Sequence, residues 1–158
     1  YHILDRLALT RGATVGDVYC GVGTFTLPLA KQVKQVIGIE SQASAIAQGK
    51  QNAEYNQIRN VTFEVGKVEK ILPQLETTPD VVFLDPPRKG CDRAVLDTLL
   101  AIAPQKIVYL SCRPATLARD LKTLTEGGYQ ITQIQPADFF PQTAHVECAV
   151  FLEGGNPP

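Results

Sequence analysis

The stretch Asp17-Val18-Tyr19-Cys20-Gly21-Val22-Gly23-Thr24 closes a predicted strand at residues 15–20 with a glycine loop. Gly21 and Gly23 let the backbone turn tightly and approach a ligand without a Cβ in the way. A strand, a glycine loop and a helix in succession are typical of nucleotide-binding α/β proteins, although two glycines alone also occur in ordinary tight turns. A dinucleotide site would place a third glycine where this sequence has Thr26.

Outward from this loop, apolar β-prone runs alternate with segments of helical period. The pattern predicts further strands at 35–39, 61–65, 81–84, 106–110, 129–135 and 145–152, and helices at 24–31, 41–55, 93–103 and 114–126. Ser41 is the predicted cap of the second helix. Alternating βα units indicate an α/β fold with a mostly parallel seven-stranded sheet and helices on both faces. Two final strands without a helix between them predict one antiparallel strand, and ligands of such folds bind at the carboxyl ends of the strands.

The composition is that of an ordinary globular domain. The 158 residues suit one domain, which we assign to residues 1–153, with a tail at 154–158. The sequence shows neither a bilayer-spanning apolar run nor a signal peptide. Its four cysteines are scattered without a zinc-binding spacing, so we expect no metal, reduced thiols and a cytoplasmic location.

Two acidic positions follow predicted strands at the expected ligand edge. Glu40 ends the second strand, where a carboxylate can accept hydrogen bonds from both ribose hydroxyls of a nucleoside. Asp85-Pro86-Pro87-Arg88 directly follows the fourth strand, and its prolines fix the backbone and leave carbonyls facing the site. The glycine loop and Glu40 indicate a nucleoside cofactor. Methyltransferases that act on nucleobases and amides use such an acidic-Pro-Pro turn beside the methyl group.

A cysteine and a glutamate are predicted at the same edge. Cys112 follows the fifth strand and precedes a helix, whose positive N-terminal end favours a thiolate. Glu147 has apolar neighbours in the sequence, and such a setting raises a carboxyl pKa and suits the group to proton transfer. A thiolate that adds to carbon 6 of uracil makes carbon 5 nucleophilic enough to attack a methyl sulfonium, after which a base removes the carbon 5 proton.

Together these segments resemble the uracil-5 RNA methyltransferase family. The resemblance covers essentially the whole chain and is most specific in Ser111-Cys112-Arg113-Pro114-Ala115-Thr116-Leu117-Ala118-Arg119-Asp120 and Phe140-Pro141-Gln142-Thr143-Ala144-His145-Val146-Glu147. It implies the Rossmann-like fold of class I S-adenosylmethionine-dependent methyltransferases. It also implies S-adenosyl-L-methionine as cofactor and carbon 5 of a uridine in tRNA or rRNA as target.

The resemblance implies roles for individual residues. Cys112 would be the nucleophile and Glu147 the base that acts on carbon 5. The expected cofactor contacts are Tyr19, Gly21, Gly23, Thr24, Glu40 and Asp85. The expected substrate contacts are Pro86, Arg88, Arg113 and His145. Arg113 stands where the family usually has asparagine.

Other functions are compatible with parts of the pattern. A nucleobase amino-group methyltransferase would hold an amine with Asp85-Pro86-Pro87 and need no cysteine. A cytosine-5 enzyme is disfavoured, because its chemistry favours a cysteine beside the proline turn, where this chain has Arg88. A cofactor- or RNA-binding module that has lost activity is disfavoured by the presence of both Cys112 and Glu147.

The predicted partner is structured RNA, either tRNA or rRNA. The net charge of −1 is low for a free-standing nucleic-acid binder. We therefore expect an N-terminal region, absent from this chain, to supply most of the binding affinity for RNA. The pattern predicts neither a membrane nor a metal partner, and we expect a monomer.

Overall fold

The computed structural model describes residues 2–137 and 147–154. Within them the strands are β1 (Thr14–Val18), β2 (Gln35–Glu40), β3 (Val61–Val65), β4 (Val81–Leu84), β5 (Lys106–Ser111), β6 (Tyr129–Ala137) and β7 (Glu147–Gly154). The helices are α1 (His2–Arg6), α2 (Thr26–Ala30), α3 (Ala43–Tyr55), α4 (Val68–Ile71), α5 (Arg93–Ile102) and α6 (Pro114–Glu126), with a 3-10 turn at Leu72–Gln74. The strands form one sheet in the order β3-β2-β1-β4-β5-β7-β6, so the predicted seven-stranded α/β sheet is confirmed.

The strands reflect their hydrophobic pattern. β4 is buried at all four positions, and so is every residue of β1. The continuous apolar run of β4 suits a parallel strand that is covered on both faces, whereas β1 also buries the polar residues Thr14 and Asp17. No helix within the described residues is long and apolar enough to cross a membrane.

Several local predictions differ from the structure. The strand predicted at 15–20 spans Thr14–Val18, and the helix predicted at 24–31 spans Thr26–Ala30. Helix α3 begins at Ala43, and its N-cap residue is Gln42, which makes no side-chain capping bond. The predicted Ser41 cap is therefore wrong, because Ser41 lies one residue before the N-cap position, where its hydroxyl donates to the Glu40 carboxylate at 3.3 Å. The helical turns over residues 68–74 were not predicted, since they are too short to show a helical period.

The chain divides into two compact units, the first of which is Tyr1–Val82. In this unit β1 pairs with β2 and β2 pairs with β3, both in parallel. Its largest fully buried side chains are Leu7, Leu29, Ile39, Ile46 and Leu72. The carboxyl ends of β1 and β2, where the glycine loop and Glu40 follow, therefore lie at one edge of this unit.

The second unit is Phe83–Pro158. Here β7 pairs with both β5 and β6 in antiparallel fashion, which confirms the predicted antiparallel strand. The largest fully buried side chains are Phe83, Leu84, Leu99, Ile107, Tyr109, Leu110 and Leu124. Strand β7 continues through Gly154, one residue beyond the predicted domain boundary.

Candidate active site

The loop after β1 contains three residues with left-handed backbone. Tyr19 (φ 66°), Gly21 (φ 57°) and Gly23 (φ 92°) all have positive φ. Glycine adopts this conformation freely, whereas a tyrosine in it is strained by roughly 1–3 kcal/mol, and such strain concentrates at functional sites. A Cβ added at Gly21 would meet no atom within 4 Å, so the backbone there faces open space.

A buried carboxylate anchors this loop. Asp17 is 1% exposed and accepts a hydrogen bond from the Thr26 hydroxyl at 2.5 Å. Because a buried carboxylate must be hydrogen-bonded to be tolerated, Thr26 stabilises the turn that leads into α2. This contact gives a structural reason for threonine where a dinucleotide-binding loop would have its third glycine.

Cys20 lies in the same loop but is not a candidate nucleophile. Burial raises the pKa of its thiol to about 12, and the negative charges of Asp17 and Glu40 act in the same direction. The thiol therefore stays protonated at neutral pH, and only a thiolate is a good nucleophile.

The Glu40 carboxylate is held beside the glycine loop by backbone amides. Its Oε1 accepts a hydrogen bond from the Gly21 amide at 3.3 Å, and its Oε2 accepts one from the Gln42 amide at 2.9 Å. The Ser41 hydroxyl also donates to Oε2. A carboxylate offers about four acceptor positions, so Glu40 keeps capacity for a ligand hydroxyl.

The first unit thus gathers five of the six predicted cofactor residues at the ends of β1 and β2. Tyr19 and Glu40 are half-buried, and Thr24 is exposed in the turn before α2. Gly21 and Gly23 provide the tight turn between them. The sixth, Asp85, belongs to the second unit.

In the second unit, β4 leads directly into the turn that carries Asp85. The Gly90 amide donates to the Pro87 carbonyl at 2.8 Å, and Gly90 has a left-handed φ of 80°. Part of the Asp85 side chain is exposed, yet desolvation by the surrounding protein raises its pKa to about 6, and the negative charge of Glu147 adds to this rise. Asp85 and Glu147 are therefore close enough to interact electrostatically.

Cys112 occupies the two-residue joint between β5 and α6. Its side chain is half-exposed, unlike the buried Cys20 and Cys91. The joint is fixed by Ser111, whose hydroxyl lies 3.0 Å from the Arg113 amide and 3.1 Å from the Arg113 carbonyl. The thiol therefore lies next to the N-terminal turn of α6, as the sequence predicts.

The pairing of β5 with β7 places the Cys112 and Glu147 segments at the same end of the two strands. In this antiparallel pairing Ser111 is opposite Cys148. Cys112 directly follows Ser111 and Glu147 directly precedes Cys148. Burial raises the pKa of Glu147, in the direction predicted from its apolar neighbours.

The remaining predicted substrate residues fall into two groups. Pro86 is half-buried in the turn after β4, while Arg88 and Arg113 are exposed. Neither arginine forms a salt bridge with another described residue. His145 lies outside the described residues, so its predicted contact stays a prediction.

Sequence reasoning missed Asp120, a second buried carboxylate. It is 0% exposed and accepts hydrogen bonds from the Tyr109 hydroxyl and the Cys91 amide. The signal was its spacing in α6, where Leu117, Asp120 and Leu124 form the buried face. A charged residue on an apolar helical face indicates a buried polar network.

Comparisons with known proteins agree with this geometry. The family described as tRNA (Uracil-5-)-methyltransferase matches residues 71–154, and a general methyltransferase-domain family matches residues 15–103. An uncharacterized RNA methyltransferase of Nostoc sp. is 60% identical over 151 residues, which are 95% of this chain and 33% of the relative. A similar uncharacterized protein of Listeria innocua is 49% identical and matches 94% of this chain and 34% of its own length. The chain thus spans about a third of the length of these relatives.

Solved structures extend the comparison to the fold. The tRNA (uracil-54, C5)-methyltransferase of Pyrococcus abyssi, solved in complex with S-adenosyl-L-homocysteine, superposes with a TM-score of 0.82 at 36% identity and covers 96% of this chain and 37% of its own. An rRNA methylase of Streptococcus thermophilus shares only the fold, with a TM-score of 0.74 at 14% identity over 97% of this chain and 93% of its own. The chain therefore has the fold of class I S-adenosylmethionine-dependent methyltransferases and belongs to the tRNA (uracil-5-)-methyltransferase family.

Proposed function

We propose that this chain is the catalytic domain of an enzyme that transfers a methyl group from S-adenosyl-L-methionine to carbon 5 of a uridine in tRNA or rRNA. The observation that carries the proposal is the pairing of Ser111 with Cys148, which places their chain neighbours Cys112 and Glu147 at the same end of β5 and β7. Membership of the uracil-5 family supports the reaction, and the S-adenosyl-L-homocysteine bound to the P. abyssi enzyme supports the cofactor.

The residues of the first unit fit the nucleoside part of this cofactor. The open backbone at Gly21 allows close approach of a ligand, and the anchored Glu40 carboxylate can accept hydrogen bonds from ribose hydroxyls. Tyr19, Gly23 and Thr24 would frame the same loop. When bound, S-adenosyl-L-methionine supplies an electrophilic methyl group on a positively charged sulfur.

Cys112 would act as the covalent nucleophile. Its thiolate adds to carbon 6 of the uracil ring, and the electron pair of the carbon 5–carbon 6 bond moves into an enolate that makes carbon 5 nucleophilic. The two hydrogen bonds between Ser111 and Arg113 span Cys112 and hold the backbone on both sides of it.

Glu147 would remove the proton from carbon 5 after methylation. The electrons of that carbon–hydrogen bond reform the ring double bond, the carbon 6–sulfur bond breaks, and the thiolate of Cys112 is regenerated. The net change replaces hydrogen by methyl and leaves one proton on Glu147. A raised carboxyl pKa makes Glu147 a stronger base than an exposed glutamate.

Arg88 and Arg113 would contact the RNA. Both are exposed and carry charges that no other described residue neutralises, and guanidinium groups bind phosphates in bidentate fashion. Two arginines alone give a modest share of the affinity of a structured RNA. The rest would come from parts of the protein outside this chain, because the curated relatives are about three times as long.

The test is covalent trapping on RNA that carries 5-fluorouridine. Fluorine at carbon 5 cannot be removed as a proton, so the proposed chemistry stalls as a protein–RNA adduct that intact mass measurement detects. We expect Cys112→Ala to abolish the adduct and the matched variant Cys148→Ala to retain it, because Cys148 points to the opposite face of β7. An adduct that persists in Cys112→Ala, or a methyl group found on a base nitrogen, would refute the mechanism.

A further inference from the structure

The loop at residues 85–91 is tied to helix α6 by side chains of that helix. The Thr116 hydroxyl donates to the Arg88 carbonyl at 3.0 Å. The Arg119 Nη2 donates to the Lys89 carbonyl at 2.8 Å. These two contacts join successive carbonyls of the loop to two residues on one side of the helix.

Asp120, a buried residue of α6, makes a third connection between the helix and the loop. Its Oδ2 accepts hydrogen bonds from the Cys91 amide at 2.8 Å and from the Tyr109 hydroxyl at 2.5 Å, while its Oδ1 accepts one from Arg119 Nε at 3.1 Å. A carboxylate that is 0% exposed is tolerated only with such compensation. One buried group therefore fixes the end of the loop, strand β5 and the Arg119 side chain together.

Gly90 shows how closely the loop packs on these side chains. A Cβ at this position would lie 2.6 Å from both Arg119 Nη2 and Asp120 Oδ2, and its φ of 80° is left-handed. No larger residue fits without displacing the hydrogen-bonding groups. The loop backbone therefore packs directly against side chains of α6.

We propose that Thr116, Arg119 and Asp120 are positioning residues that set the loop carrying Asp85 and Arg88 against the nucleophile-bearing end of α6. The Thr116 hydroxyl also lies 3.2 Å from the Arg113 carbonyl, one residue after Cys112. The same three side chains therefore reach the loop from one helix, and that helix starts two residues after the nucleophile. The inference rests on the proposed function and adds how its two reacting segments are aligned.

Misalignment has a large effect on rate. A displacement of about 1 Å in a reacting group can lower a rate by about 100-fold, even when the changed residue touches no substrate. Thr116→Val removes the hydroxyl but keeps the size of the side chain, and Arg119→Lys keeps the charge but cannot contact both Asp120 and the Lys89 carbonyl. Both positions are at least partly accessible, so neither variant opens a core cavity.

The experiment measures single-turnover methyl transfer to RNA by the intact protein at saturating S-adenosyl-L-methionine. We expect Thr116→Val and Arg119→Lys each to lower the rate by about tenfold or more, while the dissociation constant for the cofactor changes by less than about twofold. The matched control is Thr125→Val, because among the described residues the Thr125 hydroxyl bonds only within α6, to the Lys122 carbonyl. Unchanged rates, or losses that follow the melting temperature or cofactor affinity alone, would overturn the inference.

Amide hydrogen exchange supplies a readout that does not depend on activity. The Gly90 and Cys91 amides are protected by bonds to the Pro87 carbonyl and to Asp120. We expect both amides to exchange faster in Thr116→Val and Arg119→Lys, and to keep wild-type rates in Thr125→Val. Unaltered amide protection in Thr116→Val and Arg119→Lys would overturn the positioning role, whatever the activity of the wild-type protein. Failure of the wild-type protein to make 5-methyluridine would contradict the proposed function alone.

Discussion

Replacing Asp85 by asparagine should stabilise the folded protein above neutral pH. The folded structure raises the pKa of Asp85 from an ordinary value of 3.8 to about 6, through desolvation and then the charge of Glu147. An acid with a raised folded-state pKa stabilises the fold fully below its unfolded pKa and loses that contribution as pH rises through the folded value. Wild-type stability should therefore fall relative to Asp85→Asn between about pH 4 and 6, and the difference should stay constant above about pH 7.

The size of this effect follows from the same pKa change. One pKa unit corresponds to about 1.4 kcal/mol, so a fully buried group with this change would lose about 3 kcal/mol on ionisation. The Asp85 side chain is more than a third exposed, and solvent screening reduces the cost. We expect Asp85→Asn to be more stable than wild type by about 1 kcal/mol above neutral pH. Near pH 4 the two proteins should be almost equal.

Urea unfolding at several pH values checks this prediction. Circular dichroism is the suitable probe, because the chain contains no tryptophan for fluorescence. The matched control is Asp97→Asn, an exposed acid in a surface pair with Arg93, whose loss should change stability by less than about 0.5 kcal/mol. We also expect Asp85→Asn to transfer methyl groups more slowly than wild type. Equal stability of Asp85→Asn and wild type across the pH range would refute the reasoning about its environment.

Three further substitutions test the site and its supports. Thr26→Val removes a donor from the buried Asp17 carboxylate and should destabilise the protein by about 1–3 kcal/mol in urea unfolding; no loss would mean that Asp17 has sufficient other partners. Glu147→Gln should lower the pKa of Asp85, seen in a carboxyl carbon titration by nuclear magnetic resonance, and should make the covalent RNA adduct accumulate on ordinary uridine. If Asp85 titrated identically in Glu147→Gln and in wild type, the proximity of the two acids would be contradicted. Gly38→Ala should cost about 1–3 kcal/mol in thermal unfolding, because its Cβ would lie 3.0 Å from a buried sulfur and a phenylalanine ring.

Much of the site was predictable because its residues follow strands directly. The runs at 61–65 and 81–84 and the helix at 114–126 have the predicted bounds, since their apolar pattern and the flanking proline are strong local signals. In a parallel sheet, a residue that follows a strand must lie at the ligand edge. The positions of Glu40, Asp85 and Cys112 could therefore be inferred without knowing any contact.

Capping and short helical turns were less predictable. Ser41 has the residue type of a helix cap, yet its hydroxyl bonds the carboxylate of the preceding residue. A capping hydroxyl would accept a hydrogen bond from a backbone amide, but the helix begins one residue too late for Ser41 to do so. The turns at residues 68–74 are too short to show a repeating helical pattern.

The sequence by itself determined the α/β fold and the chemical groups that follow the strands, because strand ends and residue types are local properties. Only the tertiary structure decided that Ser111 pairs with Cys148, next to Cys112 and Glu147, since strand register depends on how distant segments pair. Only the tertiary structure showed that Asp120 gathers Tyr109, Cys91 and Arg119 around one carboxylate. The energy of such a network comes from groups up to 29 residues apart in the chain, which no local pattern can bring together.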